Sequence, residues 1–361
     1  MGKATLQWLL LGLLTASIGS LMAQEVDIPP ASSAPSSSVQ RITLDNGHLQ
    51  LTVTPDLGGR GLALHRIGQP NLLKVGEAVA QQPHPQVSAE AGDIGYLGHD
   101  VWVGPQSGWW QQQQVNPQRQ QAHANWPPDP YLGFARNRVL LHTEQVLQLE
   151  GVNSPVSGIR MQKQYGFDPN DPDTVQMQAS ARNIRSTSVA WDLWFNTRVS
   201  SATRVFVPLA SAADLQMQAL GDPGTESPAY RLQHGLLILA PAEREQAQRG
   251  KFLLQPSAGW MAGFNGKQML LFRFQHQPRE RIHPEHGQIE LYVDAASANT
   301  ANGLIEMELH APYQLLTPGR AMQATERWTV LAYDGPDDAG AQQQFLCQQA
   351  TRLKLAGACI D

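Results

Sequence analysis

Short stretches in which apolar and polar residues alternate recur along most of the chain, and apolar residues almost nowhere return at helical spacing. Arg41-Ile42-Thr43-Leu44 and His48-Leu49-Gln50-Leu51-Thr52-Val53 flank Asp45-Asn46-Gly47. An Asn-Gly pair between alternating runs predicts a hairpin, because both residues tolerate the positive φ that a tight turn demands. Pro55-Asp56-Leu57-Gly58-Gly59 predicts a second turn, after which Leu62, Leu64 and Arg66-Ile67 continue extended toward Asn71-Leu72-Leu73. Further strands are predicted within 139–149, 159–165, 174–179, 189–195, 236–239, 269–274, 289–293, 304–309 and 327–333. With no helical faces between them, these segments point to an antiparallel sandwich or barrel rather than βαβ units. Only 339–355 predicts a helix, with Phe345, Leu346, Ala350, Leu353 and Leu355 near one face.

The N-terminus follows different rules. Met1-Gly2-Lys3, an apolar run centred on 9–14 and small residues leading to Ala23-Gln24 have the layout of a cleavable signal peptide over residues 1–23. Residues 24–40 form a Pro/Ser-rich tether, 41–335 are expected to be one large β domain, and 336–361 a C-terminal helical segment. No cysteine lies near the cleavage point, which excludes lipid attachment there. No later run is long and apolar enough to span a bilayer, so stable membrane insertion after cleavage is not expected. The expected location is periplasmic or secreted. In an exported chain the two cysteines, Cys347 and Cys359, are expected to form one disulfide.

Composition narrows the partners. Of 361 residues only 16% are charged, and the formal net charge is −5. That removes the basic footprint nucleic-acid binding needs. The 31 glycines and 25 prolines suit a turn-rich β protein. No phosphate-cradling loop, Gly-x-Ser-x-Gly elbow or His-Glu-x-x-His pair occurs. His283-Pro284-Glu285-His286 reads as a solvated surface turn, and neither a metal nor a cofactor is expected. Between Gly98 and Tyr131 alternation gives way to Trp102, Trp109, Trp110 and Trp126 among glutamines, a segment without regular elements. Two readings fit it: a cover folded over the sheet, or indole walls for sugar rings, whose C–H faces stack while their hydroxyls need polar partners. In Leu304-Ile305-Glu306-Met307-Glu308-Leu309-His310, a strand would put Glu306, Glu308 and His310 on one face. Two carboxyls and an imidazole so placed suit acid–base work, or a solvent-facing polar stripe.

Asn46-Gly47-x-Leu49-x-Leu51-x-Val53-x-Pro55-x-x-Gly58-Gly59-Arg60 resembles the opening hairpin of the galactose mutarotase-like (aldose 1-epimerase-like) superfamily. Glu306-x-Glu308-Leu309-x-x-Pro312, Leu316-x-Pro318-Gly319 and Glu326-x-Trp328 resemble its closing strands. Gly98-His99-Asp100-x-Trp102 and Trp126-Pro127-Pro128-Asp129-Pro130 resemble a bacterial domain-of-unknown-function branch of it. The resemblance covers about 41–335 and implies an all-β fold: a large twisted antiparallel β-sandwich, or supersandwich, with a sugar-sized groove. It implies anomer interconversion of a mono- or oligosaccharide without cofactor, a glutamate taking the anomeric proton and a histidine protonating the ring oxygen. On this chain those roles fall to Glu308 or Glu306 as base and His99 as acid, with Arg60, Trp102, Trp126 and His310 binding the substrate. The paired histidines of aldose 1-epimerases, including Asn-His before an aromatic strand, have no counterpart here. The alternative is therefore a non-catalytic carbohydrate-binding protein using the same groove. A polysaccharide lyase ranks last, since no Lys/Arg cluster is present to neutralise a uronate.

Overall fold

The structure is a computed structural model and describes residues 38–221, 224–242, 247–295 and 303–359. The predicted signal segment, and the tether up to residue 37, lie outside these. The first ten strands are β1 (Ile42–Asp45), β2 (Leu49–Thr54), β3 (Arg60–Arg66), β4 (His99–Gly104), β5 (Arg138–His142), β6 (Val146–Asn153), β7 (Ile159–Asp168), β8 (Asp171–Asn183), β9 (Val189–Ser200) and β10 (Arg204–Pro208). The others are β11 (Leu215–Ala219), β12 (Tyr230–Gln233), β13 (Leu236–Leu239), β14 (Gln248–Leu254), β15 (Trp260–Asn265), β16 (Gln268–Arg273), β17 (Ile289–Ala295), β18 (Leu304–His310), β19 (Gln314–Leu316) and β20 (Ala321–Ala332).

They form two antiparallel sheets. The first runs β1-β2-β3-β4-β9-β18-β17-β14-β11, with β19 paired to β9; the second runs β12-β13-β10-β15-β16-β20-β8-β7-β6-β5. Alternation decides which side chains face the other sheet. Val101 and Val103 of β4, Leu193 and Phe195 of β9, and Ile305, Met307 and Leu309 of β18 pack into one core with Tyr165, Val175, Met177 and Trp328 of the second sheet. Each such large apolar side chain contributes roughly 1.5–3 kcal/mol by leaving water. The other face of the first sheet is left to polar groups. Register sets them side by side: Asp100 and Trp102 of β4 lie opposite Asn196 and Trp194 of β9, which lie opposite Glu308 and His310 of β18.

The stretch from Gly98 is not structureless, as its pattern suggested. Its first residues form β4, an interior strand of the sheet. All six β4 residues are buried, so the in-out alternation does not show as apolar against polar. The rest does act as a cover. Trp110 is wholly buried and donates to the carbonyl of Pro127. Arg119 lies over its ring and donates to the carbonyls of Ala89, Glu90 and Ala91. Gly58 lets this cover close down: it has φ of 69°, and a Cβ there would stand 2.4 Å from the carbonyl oxygen of Leu132.

The C-terminal helix, Ala339–Leu353, begins at Asp338, whose carboxylate accepts from the amide of Ala341. It packs Leu346 and Leu353 into a second apolar cluster with Trp260, Phe264 and Leu271 of the second sheet. Cys347 and Cys359 form the expected disulfide. No helix among the described residues is long and apolar enough to cross a membrane.

Candidate functional site

The polar face of the first sheet carries a continuous charged network. Arg198 donates to Glu306 at 2.7 Å and lies over the Trp102 ring at 4.8 Å. Next along β18, Glu308 accepts from the indole of Trp194 at 3.1 Å and stands 3.2 Å from the ammonium of Lys251. Lys251 also meets Glu290 at 2.5 Å, and Glu290 accepts or shares the proton of His286 Nδ1 at 2.9 Å. His310 stacks on His286 with ring centres 3.9 Å apart and pairs with Asp192 at 3.3 Å. Two strands, β17 and β18, thus supply three glutamates, two of them wholly sealed from solvent, and β14 supplies the lysine between them.

Their environments separate their protonation states. Burial opposes ionisation of Glu306, but the Arg198 guanidinium overrides it and holds the carboxyl below its usual range. Burial, with Glu306 and Glu290 adding repulsion against the pull of Lys251, pushes the Glu308 carboxyl well above its usual range. Burial also opposes charge on His310, but Glu290 and Asp192 raise it to about 9, making it an imidazolium. His286, depressed by burial and by His310, is neutral. Lys251 and His310 therefore supply the cations beside Glu290 and Asp192. Among the described residues two groupings have metal-ligand geometry, Asp192–His286–His310 and Glu290–Glu308–His310.

A pocket of about 470 Å³ opens on this face between the sheet and the cover. Glu306 and Arg198 form its floor, Trp102 and Trp126 its side, and Arg60, Asp93, Asp100 and Asp129 complete it. Trp126 is 49% exposed and edge-on to Trp102, with ring centres 6.3 Å apart. Asp93 stands at the mouth, where the surrounding protein desolvates its carboxyl and raises its pKa. Arg60 is fixed: it donates to Asp100 at 2.7 Å and to the carbonyls of Leu97 and Gly133. Lys163 reaches across from the second sheet to the other oxygen of Asp100 at 3.0 Å.

Glu306, Arg60, Trp102 and Trp126 converge on this pocket. Glu308 and His310 share the same face but are fully buried beneath it. His99 does not join them. It is one residue before Asp100 and so points into the sandwich, where Nδ1 meets the Thr197 hydroxyl at 2.9 Å and the ring lies 4.5 Å from that of Trp328. Burial depresses its pKa far below 6.5, which leaves it neutral. His286, which the sequence pattern places in a surface turn, is instead 5% exposed and belongs to the network, while His283, Pro284 and Glu285 lie in an open turn. Asp93, Arg198, Lys251 and Glu290 escaped the sequence reading altogether. Arg198 and Glu290 sit on strands whose alternation, followed to its end, puts them beside Glu306 and Glu308. Asp93 lies in a loop and has no such signal.

A model of a domain of unknown function, DUF4380, matches residues 39–331. The chain belongs to this family. No curated protein matches the DUF4380 chain. Solved structures share its fold. A candidate aldose 1-epimerase from Klebsiella pneumoniae is 12% identical with a TM-score of 0.52, covering 86% of this chain and 83% of its own. A galactose mutarotase-like protein from Lactobacillus casei is 10% identical at 0.51, covering 81% and 100%. Another from Clostridium acetobutylicum is 9% identical at 0.51, covering 82% and 96%. The DUF4380 chain thus has the galactose mutarotase-like sandwich. At these identities the likeness is one of fold.

Proposed function

We propose that the DUF4380 chain is an exported carbohydrate-active protein that holds a pyranose in the pocket between Trp102, Trp126 and Glu306. The pairing of an exposed indole wall with a floor of fixed charged groups carries this reading. A sugar presents a C–H face to the former and hydroxyls to the latter. Export rests on the N-terminal layout, and the disulfide is consistent with it.

Within that pocket, anomer interconversion assigns the base to Glu306, whose carboxyl Arg198 holds below its usual range, and the acid to Asp93, whose carboxyl desolvation pushes up. Glu306 removes the anomeric hydroxyl proton as Asp93 protonates the ring oxygen. The bond between the anomeric carbon and the ring oxygen breaks, giving the open-chain aldehyde. Rotation about the adjacent carbon–carbon bond and the reverse steps yield the other anomer, with both residues returned to their starting states. Glu308, the next residue along the same face, positions Glu306 through a side-chain hydrogen bond. Arg198 holds the base and Arg60 braces the pocket wall.

A second reading, binding without catalysis, is favoured by one observation. The 2.7 Å contact with Arg198 lowers the basicity of Glu306. Polarimetry on freshly dissolved α-glucose and α-galactose separates the two. Catalysis predicts acceleration that falls about 100-fold or more in Glu306→Gln and in Asp93→Asn. Sugar binding without acceleration selects the second reading, and acceleration unaffected by both substitutions refutes the assigned residues.

A further inference from the structure

We infer that the groove takes an uncharged oligosaccharide, lying across the first sheet from the pyranose of the Trp126 pocket onto a second hollow at β14 and β11. This rests on the carbohydrate reading above. The second hollow, about 450 Å³, lies on the same face where β17, β14 and β11 follow β18. From β3 to β11 the sheet takes six strand-to-strand steps, a span of roughly 29 Å at strand spacing. One ring cannot fill that length.

The chemistry of the two halves is matched. Asn125 lines the second hollow and Trp126 the first, so adjacent residues of the cover bridge them. Gln216 and Gln218 project from β11 on the far side, both exposed. Among the described residues the side-chain amides of Asn125, Gln216 and Gln218 make no hydrogen bond. Each offers a donor and an acceptor, which is what a sugar hydroxyl requires. Free amides along a groove that begins at an exposed indole suit a chain of linked rings.

The charges argue that the chain is uncharged. Among the described residues, the Lys and Arg side chains lining the two hollows already face carboxyls: Arg60 on Asp100, Arg198 on Glu306, and Lys251 on Glu290. Asp93 and Glu285 add acidic groups to the two hollows. A uronate would meet these without a spare cation to receive it.

Calorimetry on the purified protein tests this with glucose, galactose and mannose and the 1,4-linked trimers and hexamers of each. Affinity for the sugar that binds should rise about tenfold or more from monomer to hexamer. Gln216→Ala/Gln218→Ala, on an exposed edge strand, should remove that gain and leave affinity for the monomer as it was. Hexagalacturonate should not compete. Equal affinity at every chain length, a gain that survives the double substitution, or preference for hexagalacturonate overturns the inference while leaving the pocket reading intact. Failure of every probe, monomers included, overturns both.

Discussion

Glu326 gives the sharpest test of the core. It lies on β20 wholly inside the protein; one oxygen accepts from the indole of Trp328 and the other has no partner. Burial raises its pKa from 4.5 to about 8 against the smaller opposing effect of that hydrogen bond. The folded state thus holds a proton that the unfolded chain releases. The stability linked to that proton is complete below pH 4.5, declines as pH rises, and is gone above pH 8. A displacement of that size corresponds to roughly 5 kcal/mol. Glu326→Gln replaces the carboxyl with a neutral group of the same shape and removes the dependence. Urea unfolding of both proteins at pH 5 and pH 9 measures it. His310, raised to about 9, also loses stability with rising pH, but it is present in both proteins and cancels in the difference. Near pH 5 the variant should be the less stable by about 1 kcal/mol, the scale of a hydrogen bond remade with a different partner. By pH 9 the order should reverse by several kcal/mol. Parallel pH profiles would refute the claim that Glu326 is buried and neutral.

Two further outcomes follow from the same physics. Asp100 is held at about 2 because Arg60 and Lys163 override the effect of burial; Asp100→Asn leaves both cations buried without their carboxylate and should cost about 3–5 kcal/mol by urea midpoint. A loss under 1 kcal/mol would contradict the triad. Cys347→Ser should lower stability by about 3 kcal/mol, the constraint of a short loop on the unfolded chain, and a thermal melt insensitive to reductant would contradict it.

The hairpin at Asn46-Gly47 and the C-terminal helix are legible in the sequence because their periodicity follows one exposed and one buried side, and the shared face of Glu306, Glu308 and His310 because polar residues alternate there with Ile305, Met307 and Leu309, although Glu308 and His310 are themselves buried. Where both faces are covered, that signal weakens. β4 has no alternation signal, and that of β9 ends at Phe195 although the strand runs to Ser200. The reason is the same in both: the cover and neighbouring strands bury Asp100, Asn196 and Arg198 as fully as the apolar residues beside them. β11, with Gln216 and Gln218 exposed at a sheet edge, has too few apolar positions to register. His99 was legible as a polar residue near the site, but not which way it faced. A shift of one position along a strand reverses the face, so His99 points into the core while Asp100 points to the pocket. Protonation states were beyond the sequence because they depend on neighbours distant in the chain: Lys251 beside Glu308, and Arg198 beside Glu306.

The central claim is that Trp126 and its pocket bind sugar. Trp126 is half exposed, so Trp126→Ala should fold normally. Screening wild type and Trp126→Ala side by side on immobilised neutral and acidic glycans tests the claim directly. The account predicts that wild type retains neutral glycans and that the variant binds them about tenfold or more weakly. Silence of the wild-type protein, or retention unchanged in the variant, would contradict it.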